Sequence, residues 1–240
     1  NEGLISTKRL NRFLELDINQ QTITVEPGVT FKELYQLTPQ IMSPVVPGTV
    51  NATIAGAVAN DVHGKNQSKQ GCFGDHINFI ELELPSGTIN TSKNENSDLY
   101  YATIGGLGLT GFIKKINFSI LQESHFVKVK KITFNDIEHG IRKISATNNN
   151  YQYSAAWFDP YKKGRGILFN AEHIKGSQQS KKIIQTGVPF KMPFSLINKC
   201  AMKCFNRLYY NRVLRKSFDY QQDFMSFNNP LDSIQNWHRL

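Results

Sequence analysis

The feature that most constrains this chain of 240 residues is a run of small residues from Gly48 to Ala59, set within the stretch 44–75. Small residues at this density let a backbone approach another segment or a ligand closely. Thr53 is placed to cap a short helix through Ala59, which would leave the first amides of that helix free. Free amides at a helix start, reached through a Gly-Thr turn, suit an anionic group such as a pyrophosphate.

Four polar side chains then follow around a glycine, at Asp61, His63, Lys65 and Asn66. Burying such groups without partners is unfavourable, so they favour a functional site over an ordinary packed turn. An imidazole accepts a proton near neutral pH and a lysine orients an anionic or hydroxylated substrate, so His63 and Lys65 are candidates for the reacting end. The alternative for His63 is packing alone. A backbone cradle followed by reactive side chains predicts a site for a phosphate-containing cofactor.

A second glycine cluster, at 106–111, spells the GxGxxG pattern of dinucleotide-binding folds. That pattern requires a strand before it and a helix after it. Residues 112–120 instead alternate, with Ile116, Phe118 and Ile120 on one face, which predicts a strand. The sequence therefore disfavours a Rossmann NAD site. It indicates glycines that wrap the edge of a ligand where the chain enters a strand.

Strands and helices interleave along the whole chain, which predicts an α+β protein with a boundary near 122–126. Capping pairs are placed at Thr30 with Glu33 and at Asn135 with Glu138. The expected elements are hairpins at 14–26 and 80–89, helices at 30–37, 97–103 and 135–146, and strands at 126–132, 151–157 and 166–171. The helix at 97–103 is expected to open at Ser97 or Asp98.

Positive charge is concentrated in the second part of the chain. Residues 1–150 hold 14 basic and 14 acidic side chains, whereas residues 151–240 hold 14 basic and 5 acidic ones and so carry the entire net charge of +9. This asymmetry predicts an anionic partner, and the lack of a recognisable module disfavours nucleic acid. Segment 194–216 is basic and amphipathic, with apolar residues at 197, 201, 204, 205, 208 and 209 on one helical face and basic residues opposite. This pattern is typical either of a surface helix packed on its own domain or of contact with a membrane surface or lipid phosphate.

Other classes of protein are disfavoured by the same sequence. No apolar run approaches the length of a membrane span. Cys72, Cys200 and Cys204 are an odd number without the spacing of a metal site, so no metal is expected.

Several short motifs occur together in one order along nearly the whole chain. In that order and spacing the chain resembles the flavin-binding proteins of the vanillyl-alcohol-oxidase, or PCMH, type, and most closely the decaprenylphosphoryl-ribose 2'-oxidase group. The matching segments are Pro47-Gly48-Thr49, 61–66, 73–74, 102–111, 156–159 and 230–232.

The resemblance implies a division into two parts. Residues 1–123 would be the second half of a PCMH-type FAD-binding domain, and residues 124–240 the start of an α+β substrate, or cap, domain. The chain would be an internal fragment, because the family's first FAD loop would precede residue 1 and its later catalytic lysine would follow residue 240. The implied cofactor is FAD, expected to be bound non-covalently.

The resemblance also implies roles for individual residues. Pro47, Gly48, Thr49, Thr53 and Gly56 would hold the pyrophosphate and ribityl portion of FAD. The flavin ring would lie beside Asn60, Val62, His63 and Gly64, and its edge or the adenine side would be closed by Gly108, Thr110, Gly111 and Ile113. Lys65, Trp157 and Asn228 would contact substrate, although a core role for Trp157 is an equal alternative.

The activity implied is FAD-dependent oxidation of a secondary hydroxyl of a polyprenyl-phosphate-linked pentose, the 2'-oxidation step of an epimerisation. A short-chain reductase would be the partner that completes it, and the location would be the cytoplasm or the membrane periphery. The alternatives are an oxidase or dehydrogenase of soluble sugars or aldonolactones, and a non-catalytic binding module. Leu107, Ala55 and Asn228-Asn229 depart from the group's pattern, which leaves the substrate open.

Overall fold

The structure of the protein is a computed structural model that describes residues 6–38, 40–147, 150–174, 186–188, 191, 198–214, 218–236 and 239. It divides the chain into two compact units, Asn1–Glu123 and Ser124–Leu240. Both are built from antiparallel sheets with helices, which confirms the α+β class. That the first unit belongs to an FAD-binding domain and the second to a substrate domain stays a prediction.

The first unit is organised on a five-stranded antiparallel sheet in the order β1-β2-β6-β4-β5. A two-stranded sheet joins β3 to β7, and a 3-10 turn covers Phe73–His76. The elements in chain order are β1 (Phe13–Asp17), β2 (Thr22–Val25), α1 (Phe31–Leu37), β3 (Ile41–Met42), α2 (Ile54–Asn60), α3 (Gln67–Gln70), β4 (Ile77–Leu84), β5 (Gly87–Ser92), α4 (Ser97–Thr103), β6 (Phe112–Ser119) and β7 (Leu121–Gln122).

Most local expectations for this unit are confirmed. Both hairpins form, β1 with β2 and β4 with β5. The capping box of Thr30 and Glu33 is present at the start of α1. A strand, β6, follows the glycine cluster, which confirms that a Rossmann arrangement is absent there. The helix α4 spans Ser97–Thr103 and opens at Ser97, as expected, and the residue before it, Asn96, makes no side-chain capping bond.

Phe73 links the parts of the first unit that surround the predicted site. It is fully buried, and its ring lies 5.6 Å from that of Phe31 and 5.2 Å from that of Phe118. One aromatic side chain therefore joins α1, the 3-10 turn and β6. Burial of this kind contributes about 1.5–3 kcal/mol per large apolar side chain, so the segment after His63 is firmly anchored.

The second unit contains a four-stranded antiparallel sheet in the order β12-β8-β10-β9. A short parallel pair joins β11 to β13, and a 3-10 turn covers Pro230–Ser233. The elements are β8 (Phe126–Phe134), α5 (Ile137–Thr147), β9 (Tyr153–Phe158), β10 (Gly166–His173), β11 (Thr186–Gly187), α6 (Lys199–Leu214), β12 (Asp219–Asp223), α7 (Phe224–Asn228) and β13 (Ile234–Gln235).

The helices α5 and α6 lie on opposite faces of this sheet. Gly140 of α5 packs on Phe134, whereas Lys131 donates from Nζ to the Val213 carbonyl of α6 at 2.7 Å, and residues three apart on a strand point to opposite faces. The expected cap of α5 is wrong in detail. The side chain of Asp136, not Asn135, accepts from the His139 amide at 2.8 Å.

The helix expected at 194–216 is described over Lys199–Leu214, and residues 194–197 and 215–216 lie outside the described residues. Its packed face carries the buried residues Asn206 and Tyr210. Of the apolar face expected from the sequence, Tyr209 is half-buried, whereas Phe205 and Leu208 are exposed. No helix in the described part of the chain is long and apolar enough to cross a membrane.

Candidate cofactor site

The start of α2 is not the anion site that the sequence predicts. The Ile54 amide donates to the Val29 carbonyl at 2.7 Å, and the Ala55 amide donates to the Pro27 carbonyl at 3.2 Å. The Thr53 hydroxyl caps the Gly56 amide at 3.1 Å, as expected. The expectation of free amides is therefore wrong, because the loop before α1 takes them. Thr53 and Gly56 stay predicted cofactor residues, but free amides at the start of α2 no longer explain how they would bind an anion.

The open backbone lies five residues earlier, at Gly48 and Thr49. Both are exposed, whereas Pro47 before them is buried. A Cβ built on Gly48 would meet nothing within 4 Å. Among the described residues, the amides of Gly48 and Thr49 donate to no other group, and the Thr49 hydroxyl accepts from the Asn51 amide at 3.3 Å. Successive unpaired amides beside an uncrowded glycine fit the approach of a diphosphate.

The polar turn at 63–66 is held against the segment that leads to Gly48. Asn66 is only 1% exposed, and its side-chain amide donates to the Pro44 carbonyl at 2.7 Å. His63 pairs with Cys72 in an isolated bridge, and the Phe73 amide donates to the Val62 carbonyl at 2.8 Å. These bonds fix the backbone of the turn on both sides. His63 itself is exposed, which leaves its imidazole accessible to a ligand.

Asn66 is the residue that the sequence analysis named without giving it a role. Its Oδ1 is buried and has no hydrogen-bond partner among the described residues. A buried acceptor without a donor is unfavourable by about 1–3 kcal/mol, and such groups cluster where a ligand or another segment approaches. The signal available in the sequence was an asparagine directly after the His-Gly-Lys turn.

Gly64 is required by this packing, in contrast to Gly48. A Cβ built on Gly64 would lie 2.8 Å from Asn66 Oδ1 and 2.8 Å from the Val46 carbonyl oxygen. We expect Gly64→Ala to lower the free energy of unfolding by about 1–3 kcal/mol, because the turn must move away from the 44–46 segment. Chemical denaturation of the protein without cofactor measures this change.

Gly48→Ala is the matched control for that prediction. Its Cβ would enter open space, so we expect unfolding without cofactor to stay within about 0.5 kcal/mol of the unsubstituted protein. FAD affinity, measured by quenching of flavin fluorescence, should fall, because the new methyl group would stand where the diphosphate approaches. Equal loss of stability in both variants would contradict the assignment.

Lys65 is half-buried, and its burial lowers the pKa of the ammonium group to about 8. Desolvation disfavours the charged form, which is why the shift is downward. At pH 7 the side chain remains mostly protonated and so attracts an anionic ligand. Because this pKa is only slightly above neutral, the attraction of Lys65 for an anionic ligand should weaken as the pH rises above 8.

The glycine loop at 104–111 closes against the far end of α2. The Gly105 amide donates to the Val58 carbonyl at 2.9 Å, and the Leu107 amide donates to the Ala59 carbonyl at 2.8 Å. Leu107 adopts a positive φ of 54°, and Gly108 has a φ of 73° with open space around its Cα. This loop therefore presents an uncrowded backbone beside α2, which fits the edge of a planar ligand.

The other cofactor residues predicted near α2 and the glycine loop differ in their contacts and burial. The side-chain amide of Asn60 donates to the Gly56 carbonyl at 2.9 Å, and the Thr110 hydroxyl lies 2.9 Å from that of Thr103. A Cβ on Gly111 would lie 2.6 Å from Leu84 Cδ2. Ile113 is buried in β6, so its side chain belongs to the core rather than to an open site.

Two exposed leucines in the same loop were not predicted as site residues. Leu107 is 68% exposed and Leu109 is 86% exposed. Large apolar side chains at such exposure beside an open glycine backbone are typical of a surface that is covered by a ligand or another segment. The sequence signal for Leu107 was its departure from the group's pattern, and Leu109 had none.

The predicted substrate residues Trp157 and Asn228 belong to the second unit. Trp157 is half-buried, and its ring lies 5.0 Å from that of Tyr209 on α6. Asn228 is buried in α7, where its side-chain amide donates to Asn229 Oδ1 at 3.1 Å. Both have structural partners within their own unit, and their contact with substrate stays a prediction. Among the described residues, no group of His, Cys, Asp and Glu side chains is placed to hold a metal ion.

Comparison with known proteins matches residues 1–93 to the model of an FAD binding domain. The chain is 31% identical to decaprenylphosphoryl-beta-D-ribose oxidase of Mycolicibacterium smegmatis, over 98% of this chain and 55% of that protein. It is 26% identical to D-lactate dehydrogenase of Anaerostipes hadrus over 59% of this chain and 31% of the relative. It is 28% identical to L-gulonolactone oxidase 5 of Arabidopsis thaliana over 58% of this chain and 25% of that protein. The chain therefore spans about half the length of the first relative and less than a third of the other two.

Proposed function

We propose that the whole protein is an FAD-dependent oxidoreductase that oxidises a secondary hydroxyl group of a sugar, since residues 1–93 match the model of an FAD binding domain. The family match supports FAD as the cofactor, and the relatives' names include oxidases and a dehydrogenase. The observation that carries the proposal is the open pair of amides at Gly48 and Thr49, beside the turn that presents His63 and Lys65.

The residues of the chain then take distinct parts in the reaction. Gly48 and Thr49 would hold the diphosphate of FAD through their amides, and the loop around Gly108 would contact the cofactor's edge. FAD, when bound, supplies the acceptor for the hydride of the substrate's C–H bond. His63 accepts the proton of the substrate hydroxyl, and Lys65 holds an anionic or hydroxylated part of the substrate in place.

The substrate proposed is a polyprenyl-phosphate-linked pentose, oxidised at its 2'-hydroxyl as one step of an epimerisation. The name of the relative from Mycolicibacterium smegmatis and the net charge of +9 in residues 151–240 support a phosphorylated, lipid-linked sugar. Trp157 and Asn228 are further residues proposed to contact it. A separate short-chain reductase would return the keto sugar to the alcohol level, and a lipid-linked substrate would be met at a membrane surface.

A second candidate is oxidation of a soluble sugar or aldonolactone by the same site. The similarity to L-gulonolactone oxidase 5 of Arabidopsis thaliana favours it. The departures at Leu107 and Asn228-Asn229 from the lipid-sugar group are compatible with it. A non-catalytic module that binds a partner without turnover is the third alternative, and it predicts no reduction of flavin by any sugar.

Anaerobic bleaching of the flavin absorbance at about 450 nm separates the two enzyme proposals from each other and from the non-catalytic module. The whole protein, loaded with FAD, is mixed either with a polyprenyl-phosphate pentose or with the free pentose and an aldonolactone. We expect the lipid-linked sugar to bleach the flavin and the soluble compounds to leave it oxidised. Bleaching by the soluble compounds alone would favour the second candidate. A protein that binds FAD but is bleached by none of them would contradict both enzyme proposals.

A further inference from the structure

The orientation of α6 on the second unit is fixed by a polar and aromatic cluster. The side-chain amide of Asn206 donates to Asp159 Oδ1 at 3.1 Å, and Asp159 also forms an ion pair with Arg165 at 3.1 Å. The Arg165 guanidinium lies 4.2 Å from the ring centre of Tyr210. These contacts tie one face of α6 to the turn between β9 and β10. The opposite face is therefore directed away from its own sheet.

That opposite face carries exposed apolar side chains. Phe205 is 54% exposed and Leu208 is 64% exposed, and Cys204 beside them is exposed as well. Residues three and four apart are neighbours on a helix, so these three side chains form one stripe. Phe205 stacks on Tyr209 with ring centres 5.9 Å apart, which holds its ring against the helix surface. The sequence had assigned these residues to one apolar face, but Tyr209 lies at its packed edge.

The charge of α6 is entirely positive. Its charged residues are Lys199, Lys203, Arg207 and Arg212, all exposed, and Lys199–Leu214 contains no Asp or Glu. Arg207 lies three positions after Cys204 and Arg212 lies four positions after Leu208, so both cations border the apolar stripe. A helix with apolar side chains bordered by cations matches the boundary between lipid headgroups and acyl chains.

We propose that the stripe of Cys204, Phe205 and Leu208, with Arg207 and Arg212, binds the surface of an anionic phospholipid membrane. The aromatic and aliphatic side chains enter the headgroup boundary, and the two arginines bind lipid phosphates. The helix lies on the surface and does not cross the bilayer, in keeping with its length of 16 residues. Charge alone would also suit nucleic acid, but the exposed Phe205 and Leu208 beside the arginines favour lipid.

The helix α5 of the same unit provides a matched control. Ile137 and Ile141 are 54% and 55% exposed, and Arg142 and Lys143 follow them. The difference is Glu138, whose carboxylate lies 3.7 Å from Arg142. Both helices thus expose a pair of large apolar side chains, but α5 carries two cations and Glu138, whereas α6 carries four cations and no acidic residue. Membrane binding by exposed apolar area alone would engage both helices equally.

The test is co-sedimentation of the whole protein with vesicles of phosphatidylcholine, with or without phosphatidylglycerol, at about 50 mM and about 300 mM salt. We expect binding only to the vesicles with phosphatidylglycerol, weakened at high salt. The double variants Phe205→Ser with Leu208→Ser and Arg207→Gln with Arg212→Gln should each reduce the partition coefficient about tenfold. Ile137→Ser with Ile141→Ser and Arg142→Gln with Lys143→Gln should change it less than about twofold.

The remaining outcomes each overturn the proposal. These are absence of binding to anionic vesicles, equal losses in the α5 and α6 variants, or binding of a single-stranded RNA that depends on the arginines but not on Phe205 and Leu208. All substituted side chains are exposed, so melting temperatures should stay unchanged and a folding defect is detected separately. The proposed membrane contact involves α6 alone, so vesicle binding and flavin bleaching by lipid-linked sugar can fail independently.

Discussion

Replacing His63 with Gln is expected to slow reduction of the bound flavin by substrate about 10²- to 10⁴-fold. General base catalysis by a positioned side chain contributes factors of this size, and Gln keeps polarity and approximate volume while losing the proton acceptor. His63 is exposed and its backbone pairs with Cys72, so its imidazole is accessible to a ligand, as the proposed proton acceptor requires. Single-turnover reduction of the flavin in a stopped-flow spectrometer under nitrogen measures the rate directly.

His76→Gln is the control for this substitution. His76 belongs to the same unit, is half-buried, and lies 2.7 Å from the Gln70 carbonyl through its Nε2, which indicates a structural role. Its replacement should leave the rate of flavin reduction unchanged. If His63→Gln also reduced the flavin at the unsubstituted rate, with FAD bound normally, His63 would only pack against the ring and the proposed proton acceptor would be wrong.

The local structure around the site was predictable because its signals lie close together in sequence. The hairpins show alternation over a few residues, and Thr30 with Glu33 forms a capping box within one turn of helix. The strand after the glycine cluster followed from the alternation of Ile116, Phe118 and Ile120, which removed the Rossmann alternative. Thr53 was expected as the cap of α2, and its hydroxyl does cap the Gly56 amide.

The failed expectations depend on partners distant in sequence. The first amides of α2 are taken by carbonyls at Pro27 and Val29, about 25 residues earlier, and no local pattern reports that pairing. The packed face of α6 was likewise set by Asp159 and Arg165, about 45 residues before the helix. Apolar periodicity predicts which residues share a face, but not whether a polar and aromatic cluster takes the packed side. In both cases tertiary contacts decided between local alternatives.

The correction at α2 changes which backbone amides are expected to bind the anion. With the α2 amides paired, the proposed anion-binding backbone is Gly48 and Thr49, near the turn that Asn66 holds to the Pro44 carbonyl. His63 and Lys65 follow from the same turn, so the cradle and the reacting side chains share one support. A change in Asn66 should therefore affect cofactor binding and reduction together. The proposed anion-binding backbone still precedes the reactive side chains in the sequence, as predicted. The amides proposed to bind the anion are now those of Gly48 and Thr49 and not those of α2.

Replacing Lys65 with Met is expected to raise the KM for a phosphorylated substrate about a hundredfold at pH 7. Removing one partner of a partly buried charge pair typically loses 2–5 kcal/mol of binding, or about 30-fold or more. Burial lowers the pKa of Lys65 to about 8, so the unsubstituted protein should bind the substrate with constant affinity below pH 8. Above pH 8 the affinity should fall as the ammonium group loses its proton. Steady-state kinetics between about pH 6 and pH 10 measure both effects.

The pH dependence of the free energy of unfolding is an independent test of the state of Lys65. The folded pKa of about 8 lies below the ordinary value of 10.5, so between these values the unfolded chain binds more protons than the folded one and stability rises with pH. Burying the cation is unfavourable below pH 8, so Lys65→Met should stabilise the protein without ligand at pH 7 and flatten this rise. Lys69→Met, at an exposed position on α3, should alter neither KM nor the pH dependence of stability. A Lys65 variant with unchanged KM but increased stability would show that burial of the cation is structural, and substrate recognition would then have to come from other residues.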